Sequence, residues 1–407
     1  MVNKAITLTV NNKYVFANFT FLLVLFLLAF GIIYLLRKKG NPRLFVLLLL
    51  YHTGMSVFYY FWLWPPLDAG NYYLSVFEVS STSDFMNVGG DWVTLILYPL
   101  VRYVNLSLFS GYLLFSIIGF LGLLFFYIAL VELIQGHEPA SKFLNMIVFL
   151  PGLSFWTSAI SKESIVFLGI MMIFYAIIKL NQRIIYFALG SLLVVLIRPH
   201  VFMMIIVALL VSMILLAKTS LIQKIVFIPL LFIILVPTYP LLLERTQLET
   251  INIDTAQEFI EERGVNWGGG SGVDIQNYNS VFKLFTYLYR PLFVDSHSVF
   301  MVLSSCENLI YLLVTWQLLS FNFLKFMRNE RSLFLSFNLL FFLIGAVLMS
   351  HTEGNLGTAM RHKIMIMPSL LALWLIYRAK TQPVALAKTQ PVALAASNLA
   401  TATGKDY

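Results

Sequence analysis

Five short polar stretches carry the side chains of this sequence that could do chemistry. The first is Ser161-Lys162-Glu163-Ser164, which follows Phe155-Trp156-Thr157-Ser158. The second is Arg198-Pro199-His200. The third begins at Tyr289-Arg290-Pro291, passes Asp295 and His297, and reaches Cys306-Glu307-Asn308. The fourth runs from His351 through Glu353, Gly354, Asn355 and Gly357 to Arg361. The fifth is Asp68-Ala69-Gly70-Asn71-Tyr72-Tyr73, with Glu78, Asp84 and Asp91 beyond it. Arginine matches phosphate oxygens bidentately, and lysine supplies a point charge. A carboxylate beside them can accept a proton from an attacking hydroxyl.

Each stretch also has an ordinary structural reading. Ser161 can cap a helix whose dipole Glu163 complements. Arg198 can anchor a tight turn at lipid headgroups. Glu307, inside an apolar run, must be paired or protonated, and an arginine from another loop is one such partner. The stretch 351–361 can be a polar turn, and acids near Asp68 can simply be solvated. His52 and His137 are weaker candidates still.

The elements that position these residues follow from composition. Of 407 residues, 59% are hydrophobic and 11% charged, with a mean hydropathy of +0.84. So few charges cannot cover a water-exposed surface, so lipid is the expected solvent. The net charge of +8 is therefore a topology signal and does not point to nucleic acid. The lone Cys306 excludes an internal disulfide and a cysteine metal cluster. The residues up to 16 are mostly polar and the run after them is long enough to stay as a span, so no cleavable signal peptide is expected. Metal-ligand spacings, a Walker loop, a dinucleotide fingerprint and a nucleophile elbow are absent, and Gly268–Gly270 lacks the Lys-Ser/Thr of a phosphate loop. Neither a metal nor another cofactor is expected.

The expected fold is an all-α, polytopic transmembrane bundle filling residues 1–379. A span needs about 20 mainly apolar residues. About eleven runs qualify: 17–36, 44–63, 107–133, 142–160, 164–180, 184–197, 201–217, 224–243, 299–320, 332–350 and 363–378. Short basic loops at Arg37-Lys38-Lys39 with Arg43, Lys142, Lys179 with Arg183, Lys218 with Lys224, Lys325 to Arg331, and Arg378 with Lys380 read as cytoplasmic. The N-terminus is then outside and the C-terminus inside. The outer face holds the loops 64–106 and 244–298 and all five polar stretches. Pro65-Pro66 ends the second span, and 91–104 reads as a short amphipathic segment at the interface. The second loop carries Glu258, Glu261 and Glu262, then a flexible run from Trp267 to Gly272, and 282–293 is aromatic. In 380–407 an octapeptide, Lys-Thr-Gln-Pro-Val-Ala-Leu-Ala, occurs twice, as in a disordered cytoplasmic tail.

Arg198, Arg290, Arg361 and Lys162 on one face suit an anion with more than one charge. Outside the cytoplasm, where nucleotides are scarce, the expected phosphate-bearing substrate is lipid-linked, its tail entering between helices. The sequence resembles bacterial polysaccharide-biosynthesis membrane proteins of the O-antigen-polymerase-like kind. The resemblance rests on Leu150-Pro151 to Phe155-Trp156-Thr157-Ser158 leading to Lys162-Glu163, on Arg290-Pro291 leading to Glu307-Asn308, and on Gly354-Asn355-Leu356-Gly357-Thr358 leading to Arg361. These motifs cover the second to final thirds of the chain.

The resemblance implies a glycosyltransferase or polymerase of the bacterial inner membrane acting on undecaprenyl-linked glycans. It also implies membrane lipid and other polysaccharide-assembly proteins as partners. On this reading Arg198, Arg290 and Arg361 bind the diphosphate. Glu163, Glu307 or Asp68 is the base, although the paired Asp-X-Asp of related membrane transferases is missing at Asp68. Lys162, His200, Glu353 and Asn355 position the substrate. A flippase or other transporter of a glycan or lipid-linked precursor is the rival from another class. It should place polar residues near the midplane and show repeated halves, and no convincing repeat is present. A non-catalytic assembly scaffold is the third reading.

Overall fold

The computed structural model describes residues 12–63, 67–79, 90–134, 136–246, 272–296 and 298–381. Among them the chain is all helical, with only an isolated antiparallel bridge between Gly272 and Asn355. Asp84, Glu258, Glu261, Glu262, Trp267, His297, Pro65-Pro66 and nearly all of the duplicated octapeptide lie outside the described residues.

Chain order gives α1 (Asn12–Leu36), α2 (Pro42–Trp62), α3 (Leu67–Glu78), α4 (Gly90–Val104), α5 (Leu108–Ile134), α6 (Glu138–Ile147) and α7 (Pro151–Phe155). Then come α8 (Lys162–Ile178), α9 (Ile184–Ile197), α10 (Pro199–Val211), α11 (Leu221–Thr246), α12 (Ser280–Tyr289) and α13 (Val299–Leu318). The last four are α14 (Phe321–Glu330), α15 (Leu333–Thr352), α16 (Leu356–His362) and α17 (Met367–Thr381).

Six stretches among the described residues are long and apolar enough to cross a membrane: Asn18–Leu36, Pro42–Trp62, Leu108–Ile134, Pro199–Leu216, Val299–Leu318 and Leu333–Thr352. A seventh forms if Leu356–Met365 and Met367–Thr381, bent by 51°, count as one. Against the eleven apolar runs of the sequence, six or seven helices of spanning length are thus found among the described residues. The run 142–160 is not one helix, because Pro151 lacks the N–H that would continue α6 and instead opens α7. The run at 184–197 gives a 14-residue helix, about 21 Å long and short of a ~30 Å hydrocarbon core. The bend before α17 has the same cause at Pro368.

α8 is the centre of the bundle, packed between α5 and α9 and buried from Glu163 to Ile177 apart from Leu168. It meets α9 closely at two glycines. A Cβ on Gly169 would stand 2.8 Å from the Gly190 carbonyl oxygen, and one on Gly190 would stand 2.6 Å from that of Gly169. Small residues allow such backbone approach where the surroundings are as apolar as the helices. The expected amphipathic segment is α4, which buries Val93, Thr94, Leu97 and Val101 and packs on α3.

Candidate functional site

The site is built around the first turn of α8 and the last turn of α16. Ser161 caps α8 by accepting the Ser164 N–H, which places Glu163 in the first turn, wholly buried. The capping role read from the sequence is real, and it delivers the carboxylate to the site. Asn355 caps α16 in the same way, accepting from Gly357 N–H at 2.8 Å and Thr358 N–H at 3.2 Å. Beyond that cap, α16 tightens into a 3-10 turn over Lys363–Met365. Three consecutive side chains, Arg361, His362 and Lys363, thus leave the backbone in different directions.

Arg361 holds Glu163 Oε2 at 2.6 Å through one guanidinium nitrogen and the Asp68 carboxylate through another. Arg198 binds the other oxygen of Glu163. It stands at the junction of α9 and α10, where Pro199 separates the helices. His362 Nε2 lies 2.9 Å from Arg198 and Nδ1 lies 2.6 Å from Glu353 Oε1. Arginine can only donate, so Nε2 accepts and the imidazole proton sits on Nδ1, donated to Glu353. One connected chain results: Asp68, Arg361, Glu163, Arg198, His362 and Glu353. Its members come from α3, α16, α8, the α9–α10 junction and the end of α15.

With neutral His362, this chain has three carboxylates against two guanidiniums. Arg361 is held by a carboxylate on each side, so an anion that takes its fork displaces one of them. Asp68 is the one placed for that: its side chain is 59% exposed, against 0% for Glu163. Tyr59 and Tyr72 lie within electrostatic reach of Glu163, Arg361 and Asp68. Tyr59 also stacks on Phe155 of α7, ring centroids 4.4 Å apart. Lys162 lies over the start of α4: a Cβ on Gly90 would stand 3.7 Å from its Nζ and 3.0 Å from the Tyr72 ring. His200 lies half-buried in the first turn of α10.

The third arginine does not join this chain. Arg290 binds Asp295 bidentately, Nε to Oδ2 at 3.0 Å and Nη2 to Oδ1 at 2.6 Å, so its fork is filled within its own loop. Those bonds to Asp295 raise its pKa. Glu307 stands apart from this chain as well. Its oxygens accept from the Gly152 N–H at 2.6 Å and from the Tyr311 hydroxyl, and among the described residues it forms no ion pair.

Sequence reasoning missed His362 and Lys363. Lys363 is buried, and its ammonium donates to Asn308 Oδ1 at 2.7 Å and to the Arg290 carbonyl at 3.1 Å. A basic residue at the mouth of an apolar run was the available signal for it. His362 had only its place between two bases. Comparison of the chain with protein-family models, curated proteins and solved structures returns no match.

Proposed function

We propose that this chain transfers glycosyl groups from a polyprenyl-(di)phosphate donor to a glycan acceptor at the extracytoplasmic face of a bacterial inner membrane, in cell-surface polysaccharide synthesis. On this reading the eleven apolar runs cross or enter the membrane, with the N-terminus outside and the C-terminus inside. The observation that carries the proposal is Glu163, buried and bridging Arg198 to Arg361, with the far side of Arg361 on the exposed Asp68.

The donor phosphate takes the place of Asp68 on the Arg361 fork, whose planar donors suit two phosphate oxygens. Lys162 adds a second positive charge. The displaced Asp68 carboxylate accepts the proton of the acceptor hydroxyl. The hydroxyl oxygen bonds the anomeric carbon as the bond from that carbon to the phosphate oxygen breaks, and the electron pair leaves with the phosphate. Arg361 stabilises that developing charge, held in place by Glu163. Arg198 and His362 fix Glu163 from the other side, and Asn355 sets the helix end from which Arg361 projects.

The test is polymer length on gels of surface glycan from cells expressing Arg361→Ala, Asp68→Asn or Glu163→Gln at matched levels. Polymer should be lost or strongly shortened in all three. Normal polymer with Arg361→Ala overturns the assignment.

One observation favours the transporter reading. His362 stands between two carboxylates inside the bundle, Glu353 at 2.6 Å from Nδ1 and Glu163 at 3.8 Å from Nε2, and an imidazole so placed passes a proton from one to the other. A proton-coupled transporter would move a lipid-linked glycan across proteoliposomes in response to a pH gradient without forming a glycosidic bond. Bond formation by purified protein supplied with donor and acceptor decides against it.

A further inference from the structure

Separate parts of the chain converge on residues 307 and 308 of α13. The Glu307 carboxylate takes the Gly152 N–H at 2.6 Å, where α7 begins. Pro151 has no N–H, so Gly152 offers the first donor of that segment. The approach needs glycine, because a Cβ there would stand 2.6 Å from Glu307 Oε1 and 2.9 Å from Oε2. Asn308 donates to the Pro291 carbonyl at 2.8 Å and accepts from Lys363 Nζ at 2.7 Å. Lys363 is bonded to the Leu288 and Arg290 carbonyls as well, at 3.3 and 3.1 Å.

The two partners of the central ion pair hang from this point. Gly152 opens the stretch that ends at Glu163, and Lys363 lies two residues beyond Arg361. The stretch is stiffened by its own bonds: Ser158 Oγ donates to the Phe155 carbonyl at 3.0 Å, and Ser164 Oγ to the Ala159 carbonyl at 2.7 Å. A shift at Gly152 is therefore passed along to Glu163.

We propose that Glu307 is a positioning residue: with Asn308 it clasps the 151–161 segment and the Lys363 turn to one helix, and so sets the register of Glu163 against Arg361. Its carboxylate serves as an acceptor of hydrogen bonds and moves no proton in the reaction. The use made of this register rests on the proposed glycosyl transfer; the clasp itself does not.

Glutamine keeps an acceptor for the Gly152 N–H and a polar partner for Tyr311, whereas alanine keeps neither. Polymer length is compared in cells for Glu307→Gln and Glu307→Ala. In parallel, the full chain carrying Cys306→Ser and Ala159→Cys is purified in detergent, and maleimide labelling of the new thiol reports opening of the segment, since Ala159 is buried. Removing a buried hydrogen-bond partner should shorten polymer and speed labelling about tenfold in Glu307→Ala, with Glu307→Gln within about twofold of the parent in both. Tyr311→Phe should fall between them.

Glu307→Gln behaving like Glu307→Ala overturns the proposal, because the charge itself is then required. Parental labelling in Glu307→Ala overturns it too. If Glu307→Ala does not accumulate, Gly152→Ala takes its place: faster labelling supports the clasp and unchanged labelling overturns it. If Arg361→Ala leaves polymer intact, the glycosyl-transfer reading has failed, and labelling alone still judges the clasp.

Discussion

α8 carries a carboxylate-centred cluster at each end, about 24 Å apart along a 17-residue helix. At one end Glu132 binds Lys179 at 2.7 Å and Arg183 at 2.7 Å, with Arg183 stacked over Tyr175 at 3.8 Å and Lys39 bonded to the Tyr175 hydroxyl. At the other end Glu163 binds Arg198 and Arg361. Both are one carboxylate between two cations. The Glu132 cluster is partly exposed, Lys179 by 50%, and its two cations lie close together in sequence at one helix end. Glu163 is fully enclosed, and its cations come from elements 35 and 198 residues away. Charges near water that need only a basic loop are what topology demands of a membrane protein. Desolvated charges gathered from distant segments are costly to assemble, and this cost is what marks a site.

Breaking the pairs should separate the two ends most sharply at Glu163. Glu163→Ala leaves buried Arg198 without its carboxylate and Arg361 with only the exposed Asp68, a loss of about 3–5 kcal/mol for a broken buried pair. Its unfolding midpoint in detergent should fall well below that of the parent, and polymer should disappear. A midpoint equal to the parent's would mean that the enclosure of Glu163 has been overestimated. Arg361→Lys comes next. It keeps the charge but cannot serve Glu163 and Asp68 with two separate nitrogens, so activity should fall at least about tenfold while stability changes less. His362→Phe takes from Arg198 one of its two acceptors and from Glu353 its donor, a cost of about 1–3 kcal/mol. His362→Gln, which restores an acceptor towards Arg198, should recover part of the lost stability; no recovery would count against the assigned tautomer.

The sequence made one side of this comparison legible and obscured part of it. Asp68, Glu163, Arg198, Glu353 and Arg361 stand out because ionisable groups among apolar runs are conspicuous, and the structure joins all five through Arg198, Arg361 and the unforeseen His362. Arg290 has the same appearance in sequence, yet Asp295 satisfies it five residues later in an irregular loop whose geometry no periodicity reports. Glu307 is recognisable as a buried acid with Tyr311 one turn on, but its partner from another segment is a backbone N–H, which carries no sequence signature. The fold was readable as all-helical, while the breaks within the apolar runs were not: hydropathy averages over Pro151 and Pro368, where two of those runs become short or bent helices.

The smallest expected effect lies at the exposed end, and it completes the contrast. Glu132→Gln removes the counter-charge of Lys179 and Arg183, but water reaches Lys179 and Arg183 keeps its bond to the Tyr175 carbonyl at 2.9 Å. An ion pair of this kind contributes about 0–1 kcal/mol, and salt screens it over a distance of about 10 Å at 0.1 M. The detergent midpoint of Glu132→Gln should therefore lie within a few degrees of the parent, and what difference there is should shrink as sodium chloride is raised. The loss in Glu163→Ala should persist at high salt, because ions cannot enter to replace a partner that was never solvated. If both losses shrink alike, the two clusters are equivalent surface pairs, and the case for a site at the Glu163 end fails with them.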